Sequence, residues 1–307
     1  MDKSATKARS HPDNLTSNGF TLSTSPERLG SLVPSDPEVP LNVLKEQYRD
    51  QGYLWLKGFL PRDEVIGFRR RFFSAFGHTD LLKPGTDPAE GVHSGAPEKK
   101  PGTNKVLLEQ ARTAAYEAFC LQPRLWRFFD AFLGGPSYLH KRKIIRYLTP
   151  GSAQATPAHY DLIYLRGGTD SVVSCWIPLG DVPLTMGGLV YLEGSDALGR
   201  TLEAEFSLKN AELSPEERVS AYNKNMSAGG WVGKDLPAMA ETFDARWLVA
   251  DYEAGDVVVH SAYMIHASLD NNNPEGRIRL STDIRYQNVR HEIDARWNAH
   301  WSLGDML

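Results

Sequence analysis

Two side chains one residue apart, in the triplet His159-Tyr160-Asp161, carry the first chemical signal in the sequence. On an extended strand, residues i and i+2 project from one face. An imidazole nitrogen and a carboxylate oxygen would then aim at a common point and form two legs of a metal site. The pair alone fits a solvent-facing strand end equally well, so a third donor has to decide. His266 is the best candidate, standing between AGDVVVHSAYMI and the turn-rich ASLDNNNPEG. Two imidazoles and one carboxylate, with three positions left open, make the facial triad of non-haem iron(II) oxygenases. The open positions let O2 and a bidentate 2-oxo acid both reach the metal, whereas a structural zinc site wants four closed ligands, usually with Cys. His260, six residues before His266, is the competing donor, because an even separation on one strand gives a shared face. The His266-Ala267-Ser268 context and the spacing to Arg277 favour His266, leaving His260 as a packed or hydrogen-bonded neighbour. Arg277 lies eleven residues beyond His266, in GRIRLSTDIRYQ. On the strand expected there, its guanidinium would pair through two parallel hydrogen bonds with the far carboxylate of 2-oxoglutarate. Arg279, two positions on, could share that face.

These residues need strands to hold them. Short β-type runs follow Gly134-Gly135-Pro136: KIIRYL, DLIYL, SVVSCWIPL, GGLVYL, WLVADY, DVVVHSA and IRLSTDIRYQ, most separated by turns rich in Gly, Pro, Asn and Asp. Upstream, the pattern predicts a helix from Leu41, a strand from Tyr53 to Phe59, a helix after Pro61 that stops near Gly77, a loop over 78–104 that could border a pocket, and further helix over 105–134. Helices followed by many short strands predict a mainly β fold with flanking helices, an antiparallel barrel or jelly roll at its core. Residues 1–40 are rich in Ser, Thr, Pro, Asn and Asp, and are expected as an extension, poorly ordered or strap-like. Residues 41–307 are expected to form a single domain, interrupted by a polar, helix-leaning insert over 197–245 that includes Ser214-Pro215-Glu216-Glu217.

The bulk properties exclude several classes. Hydrophobic residues at 41 % and charged residues at 23 % suit a globular chain with a sizeable core. A net charge of −4 argues against a general nucleic-acid binder. No apolar run approaches a membrane span, and the first residues lack an apolar signal core. Two cysteines, Cys120 and Cys175, make neither a disulfide framework nor a CxxC knuckle, which points to a reduced, cytoplasmic setting. A Ser-His-Asp hydrolase is disfavoured, since no GxSxG elbow occurs and Gly194-Ser195-Asp196 lacks that pattern.

From about Leu41 to Gln287 the chain resembles the phytanoyl-CoA dioxygenase-like family of Fe(II)/2-oxoglutarate oxygenases. The resemblance rests on the ordered set HYDLIYL, SVVSCWIPL, MGGLVYLEGSD, AGDVVVHSAYMIHAS and GRIRLS. It implies a double-stranded β-helix (cupin-like) core, with iron(II) on His159, Asp161 and His266, and 2-oxoglutarate and O2 as co-substrates. It further implies Arg277 as the carboxylate clamp, Ser268 as a second hydrogen bond to that carboxylate, Trp176 against co-substrate or substrate, and Lys105 near the co-substrate. Glu193-Gly194-Ser195-Asp196 stands where PGSH is common, and Tyr160 where Gln is common. Family members that transfer halide lack a carboxylate at the position of Asp161, so the resemblance implies hydroxylation, desaturation or a related oxidation of a small organic molecule, such as a natural-product intermediate. The rival readings are a catalytically silent member that binds a partner subunit, and a cupin-type metal enzyme that does not use 2-oxoglutarate.

Overall fold

The computed structural model describes residues 14–97, 100–152, 154–214, 217 and 231–303. Its centre is two facing sheets. The larger has the order β4 (Tyr53–Leu56), β10 (Val257–Ser261), β7 (Val173–Pro178), β12 (Arg279–Asn288) and β5 (Ser137–Leu139), with β6 (Ile144–Leu148) on the other end of the long β12. The smaller runs β11 (His266–Ser268), β8 (Leu189–Leu192), β9 (Trp247–Val249) and β3 (Leu29–Ser31). Every pairing within these two sheets is antiparallel except β3 on β9. This is the mainly β jelly-roll core that the alternating short runs predict.

Three apolar layers follow from the strand alternation. The helices α1 (Leu41–Gln51), α2 (Arg62–Ser74), α3 (Lys100–Ala111), α4 (Ala114–Cys120) and α5 (Pro123–Leu133) come from the first half of the chain. They cover the outer face of the larger sheet through Phe72, Phe73, Tyr116 and Phe129, packed on Cys175, Ile177, Val257 and Ile284. Between the sheets, Trp55, Trp176, Tyr191 and Tyr252 fill one half of the barrel. The outer face of the smaller sheet is covered by α6 (Leu162–Leu165), α7 (Ser195–Lys209) and α8 (Leu236–Thr242). Helix α7 passes so close to the segment before His266 that a Cβ on Gly199 would stand 2.0 Å from the Tyr263 carbonyl oxygen. Only glycine permits that approach.

Two expectations change. Regular structure does not begin at Leu41: β1 (Thr16–Ser17) and β2 (Phe20–Thr21) form a small hairpin, and β3 joins the smaller sheet. Leu15, Leu22, Leu29 and Leu32 are buried and tie this strand-poor stretch to the domain. DLIYL forms a helical turn, α6, where a strand was expected, because Leu162, Ile163 and Leu165 are buried on successive sides of that turn. Of the 197–245 insert, α7 and α8 are described, whereas Pro215, Glu216 and residues 218–230 lie outside the described residues. Among the described residues, no helix is long and apolar enough to cross a membrane, and both cysteines are free and buried.

Candidate metal centre

His159, Asp161 and His266 converge: each offers a ligand atom, and these atoms all lie within 4.8 Å of one another. The placement of the two histidines is a main-chain matter. The His159 N–H donates to the His266 carbonyl at 3.0 Å, and the His266 N–H donates back to His159 at 2.9 Å. Asp161 arrives by a route the triplet did not suggest. It sits in helical geometry (φ −67, ψ −27) as the residue before α6, so the pair is not on one extended strand. The Leu162 N–H bond to the Ala262 carbonyl, 2.8 Å, turns the chain there and brings the carboxylate back toward His159.

The protonation pattern of the three imidazoles separates ligands from neighbour. His159 Nδ1 lies 2.8 Å from the Pro157 carbonyl, and His266 Nδ1 lies 3.0 Å from that of Met264. A carbonyl only accepts, so both Nδ1 atoms carry the proton and both Nε2 lone pairs are free, as in metal-binding histidines. Burial lowers the pKa of each below the usual imidazole range, keeping the rings neutral. His260 is built the other way. Its Nε2 donates to Asp161 Oδ2 at 3.2 Å, and its Nδ1 accepts from the Tyr191 hydroxyl at 3.1 Å. With Nε2 committed to a carboxylate, His260 is a hydrogen-bonded neighbour of the cluster.

Asp161 is fully enclosed. Burial alone would raise its pKa, but the Arg285 guanidinium and the His260 hydrogen bond outweigh it and hold the carboxyl well below the usual range. Arg285 Nη2 donates to Oδ1 at 3.0 Å, and the Ser174 hydroxyl donates to Oδ2. Two neutral imidazoles with free Nε2 atoms and one ionised carboxylate are a donor set that fits a divalent iron centre.

A cavity of about 320 Å³ has walls that include Leu107, Arg146, Leu148, Gln154, Thr156 and Arg279; His159, Asp161 and His266 do not line it, and Thr156, whose N–H bonds Ser268 Oγ, connects it to the strand of His266. Arg279 is buried and lowered by that burial to about 10, so it stays charged at neutral pH. Its Nη1 donates to Ser281 Oγ at 3.0 Å, and its Nε has no hydrogen-bond partner among the described residues. A buried, half-satisfied guanidinium on a cavity wall is suited to an incoming carboxylate.

The other expected residues fall differently. The structure does not bring Arg277 to this cavity. It precedes β12, bridges to Val92, pairs with Glu275 at 2.7 Å and leaves its side chain 47 % exposed. Arg279, the first residue of β12, takes the inward place. Ser268 is fully buried beside His266, and its Oγ accepts from the Thr156 N–H at 2.7 Å. Trp176 is fully buried and packs edge-on to Tyr252, 4.8 Å between centroids, deep between the sheets and not on the cavity wall. Lys105 is turned to solvent with Glu109 4.0 Å away, and Asn104, the preceding residue of α3, lines the cavity instead. Three residues went unremarked in the sequence: Arg285, Ser174 and Arg146. A signal for the first was present, since Arg279, Ser281, Asp283 and Arg285 alternate with Leu280, Thr282 and Ile284 at the strand period of two. Tyr160, the middle residue of the triplet, donates its hydroxyl to Glu203 of α7 at 2.9 Å, and Glu203 pairs with Arg166 at 2.7 Å.

Jelly roll, buried donor set and family profile together define a non-haem iron, 2-oxoglutarate-dependent dioxygenase. The chain belongs to the phytanoyl-CoA dioxygenase (PhyH) family, whose profile matches residues 48–279. It is 27 % identical over 255 residues to the 1-deoxypentalenic acid 11-beta-hydroxylase of Streptomyces exfoliatus, covering 80 % of each chain. The Streptomyces arenae enzyme of the same name matches at the same identity and coverage. The fold is also that of the non-heme alpha ketoglutarate dependent carbocyclase SnoK from nogalamycin biosynthesis. That match has a TM-score of 0.53 at 18 % identity and covers 85 % of this chain and 89 % of that one. EctD from S. alaskensis, solved with 2-oxoglutarate and 5-hydroxyectoine, matches with a TM-score of 0.53 at 13 % identity, over 97 % and 91 % of the two chains.

Proposed function

We propose that the protein hydroxylates a small, largely apolar organic acid of natural-product metabolism, with His159, Asp161 and His266 holding iron(II) and Arg279 holding 2-oxoglutarate. The observation that carries this reading is the meeting of three buried donor atoms within 4.8 Å of one another; a half-satisfied buried guanidinium on the wall of the 320 Å³ cavity supports it. Iron(II) bound there, with 2-oxoglutarate and O2, supplies the oxidising power to break an unactivated C–H bond, releasing succinate and CO2.

The chain's residues do the binding and positioning. Arg279 pairs with the distal carboxylate of 2-oxoglutarate, and the Ser268 hydroxyl, which accepts from Thr156, keeps its own proton to donate. Enclosure of His159, Asp161 and His266 keeps bulk water from the reacting centre. Leu107, Leu148 and Trp301 offer a hydrocarbon surface for the substrate. Arg146, opposite Ser281 in the β6–β12 ladder and 45 % exposed, stands at the cavity rim. The Asp283 carboxylate is 3.9 Å away and also acts on Arg279 and Arg285. Three guanidiniums, Arg146, Arg279 and Arg285, thus face two carboxylates, Asp161 and Asp283. Iron(II) and the 2-oxoglutarate dianion cancel, so one positive charge is left over and favours an anionic substrate. The acid in the name of the Streptomyces relatives supports the same class.

The test is anaerobic reconstitution with iron(II) and 2-oxoglutarate, followed by O2 and a panel of small, largely apolar carboxylic acids, each paired with its methyl ester. Succinate release stimulated by acids over their esters is expected. Stimulation by esters as strong as by acids contradicts the substrate class, and 2-oxoglutarate turnover that needs no iron contradicts the metal assignment.

A further inference from the structure

Asp161 is surrounded by more donors than a buried carboxylate needs for its charge alone. Arg285 Nη2 meets Oδ1 at 3.0 Å, whereas Oδ2 receives both the Ser174 hydroxyl and His260 Nε2–H, the latter at 3.2 Å. His260 is set in turn by the Tyr191 hydroxyl, 3.1 Å from Nδ1, and both rings are fully buried. The Tyr191 phenol is held far above its ordinary pKa by burial and stays a proton donor. A donor at Nδ1 leaves the ring's own proton on Nε2, facing the carboxylate. His260 also lies flank to flank with His266, ring centroids 4.3 Å apart, so its bulk backs that ring.

We propose that His260, oriented by Tyr191, is a positioning residue that engages Oδ2 of Asp161 and thereby presents Oδ1, the oxygen facing His159 Nε2 at 3.7 Å, to the metal. The inference rests on the metal reading above. It assigns to the second histidine of DVVVHSAYMIH a role distinct from coordination: the free lone pairs belong to His159 and His266, and the Nε2–H belongs to His260. Outer partners of metal ligands fix ligand orientation and commonly contribute about 10- to 100-fold to metal affinity.

The test uses cobalt(II) binding, read by its visible spectrum and by titration, on the full chain and on His260→Phe, His260→Gln, Tyr191→Phe and His266→Ala. Expected are roughly a 10- to 100-fold weaker cobalt affinity and a shifted spectrum for His260→Phe. Substantial recovery is expected in His260→Gln, whose amide can donate to Oδ2, and a smaller loss of the same sign in Tyr191→Phe. Wild-type affinity and spectrum in His260→Phe overturn the inference. So does complete loss of binding in both His260→Phe and His260→Gln, matching His266→Ala, since that would make His260 a ligand. Where His260→Phe does not fold, Tyr191→Phe decides, and unchanged affinity and spectrum there overturn the inference. A wild-type protein that takes up no cobalt overturns the metal reading itself.

Discussion

His159 and His266, far apart in the sequence, donate main-chain hydrogen bonds to each other's carbonyls at 3.0 and 2.9 Å, which sets their rings 4.4 Å apart between centroids. The metal geometry is therefore written into backbone pairing, not into flexible side chains. His266→Ala keeps that pairing and removes only a donor. Iron affinity should fall by more than the ~100-fold that loss of an outer partner costs, with cooperative unfolding retained. Equilibrium dialysis of iron(II) and a thermal melt check both parts.

The clamp prediction separates two arginines. Arg279→Gln removes a charge-assisted contact worth about 1.5–3 kcal/mol, so the 2-oxoglutarate Kd should rise about 10- to 150-fold. Arg277→Gln removes an exposed pair with Glu275 and should leave that Kd within about twofold. Titration of 2-oxoglutarate into the iron(II)-loaded protein under argon measures both. A large effect at Arg277 and none at Arg279 would reverse the assignment.

How far the sequence reached is clear from these residues. The donor types His159, Asp161 and His266 were legible because two imidazoles and a carboxylate in strand-flanked positions have few other uses. The strand runs were legible because β-branched residues alternate with turns. The local geometry of Asp161 was not, because a four-residue apolar stretch such as LIYL reads equally as strand or as helical turn. The sequence offered both Arg277 and Arg279 on that face but could not rank them by burial: β12 begins at Arg279, and element boundaries depend on pairing partners that spacing does not reveal. The support of Arg285 and Ser174 for Asp161 is a tertiary contact between separate strands, visible only once β7 and β12 are paired.

That support carries a stability prediction. Arg285 and Asp161 form a buried pair, at 7 % and 1 % side-chain exposure. Arg285→Met leaves Asp161 enclosed without its cation, which costs about 3–5 kcal/mol. The double variant Arg285→Met/Asp161→Asn should recover part of that loss. Urea unfolding of the metal-free proteins measures both, and simple additivity of the two single variants would contradict the coupling.

Tyr160 gives a contrasting case. Its hydroxyl ties the triplet to Glu203 of α7, while Arg166 holds Glu203 independently. Tyr160→Phe should cost about 1 kcal/mol in urea unfolding and leave iron affinity within about twofold, because His159 and Asp161 keep all their own partners. A collapse of metal binding in this variant would mean that α7 sets the metal geometry.

The most direct test of the central claim is an anaerobic titration of the metal-free protein with iron(II), with and without 2-oxoglutarate, on wild type and His266→Ala in parallel. The account predicts one iron per wild-type chain, 2-oxoglutarate uptake that depends on that iron, and neither in the variant. Equal iron uptake by both proteins, or 2-oxoglutarate binding indifferent to iron, would contradict it.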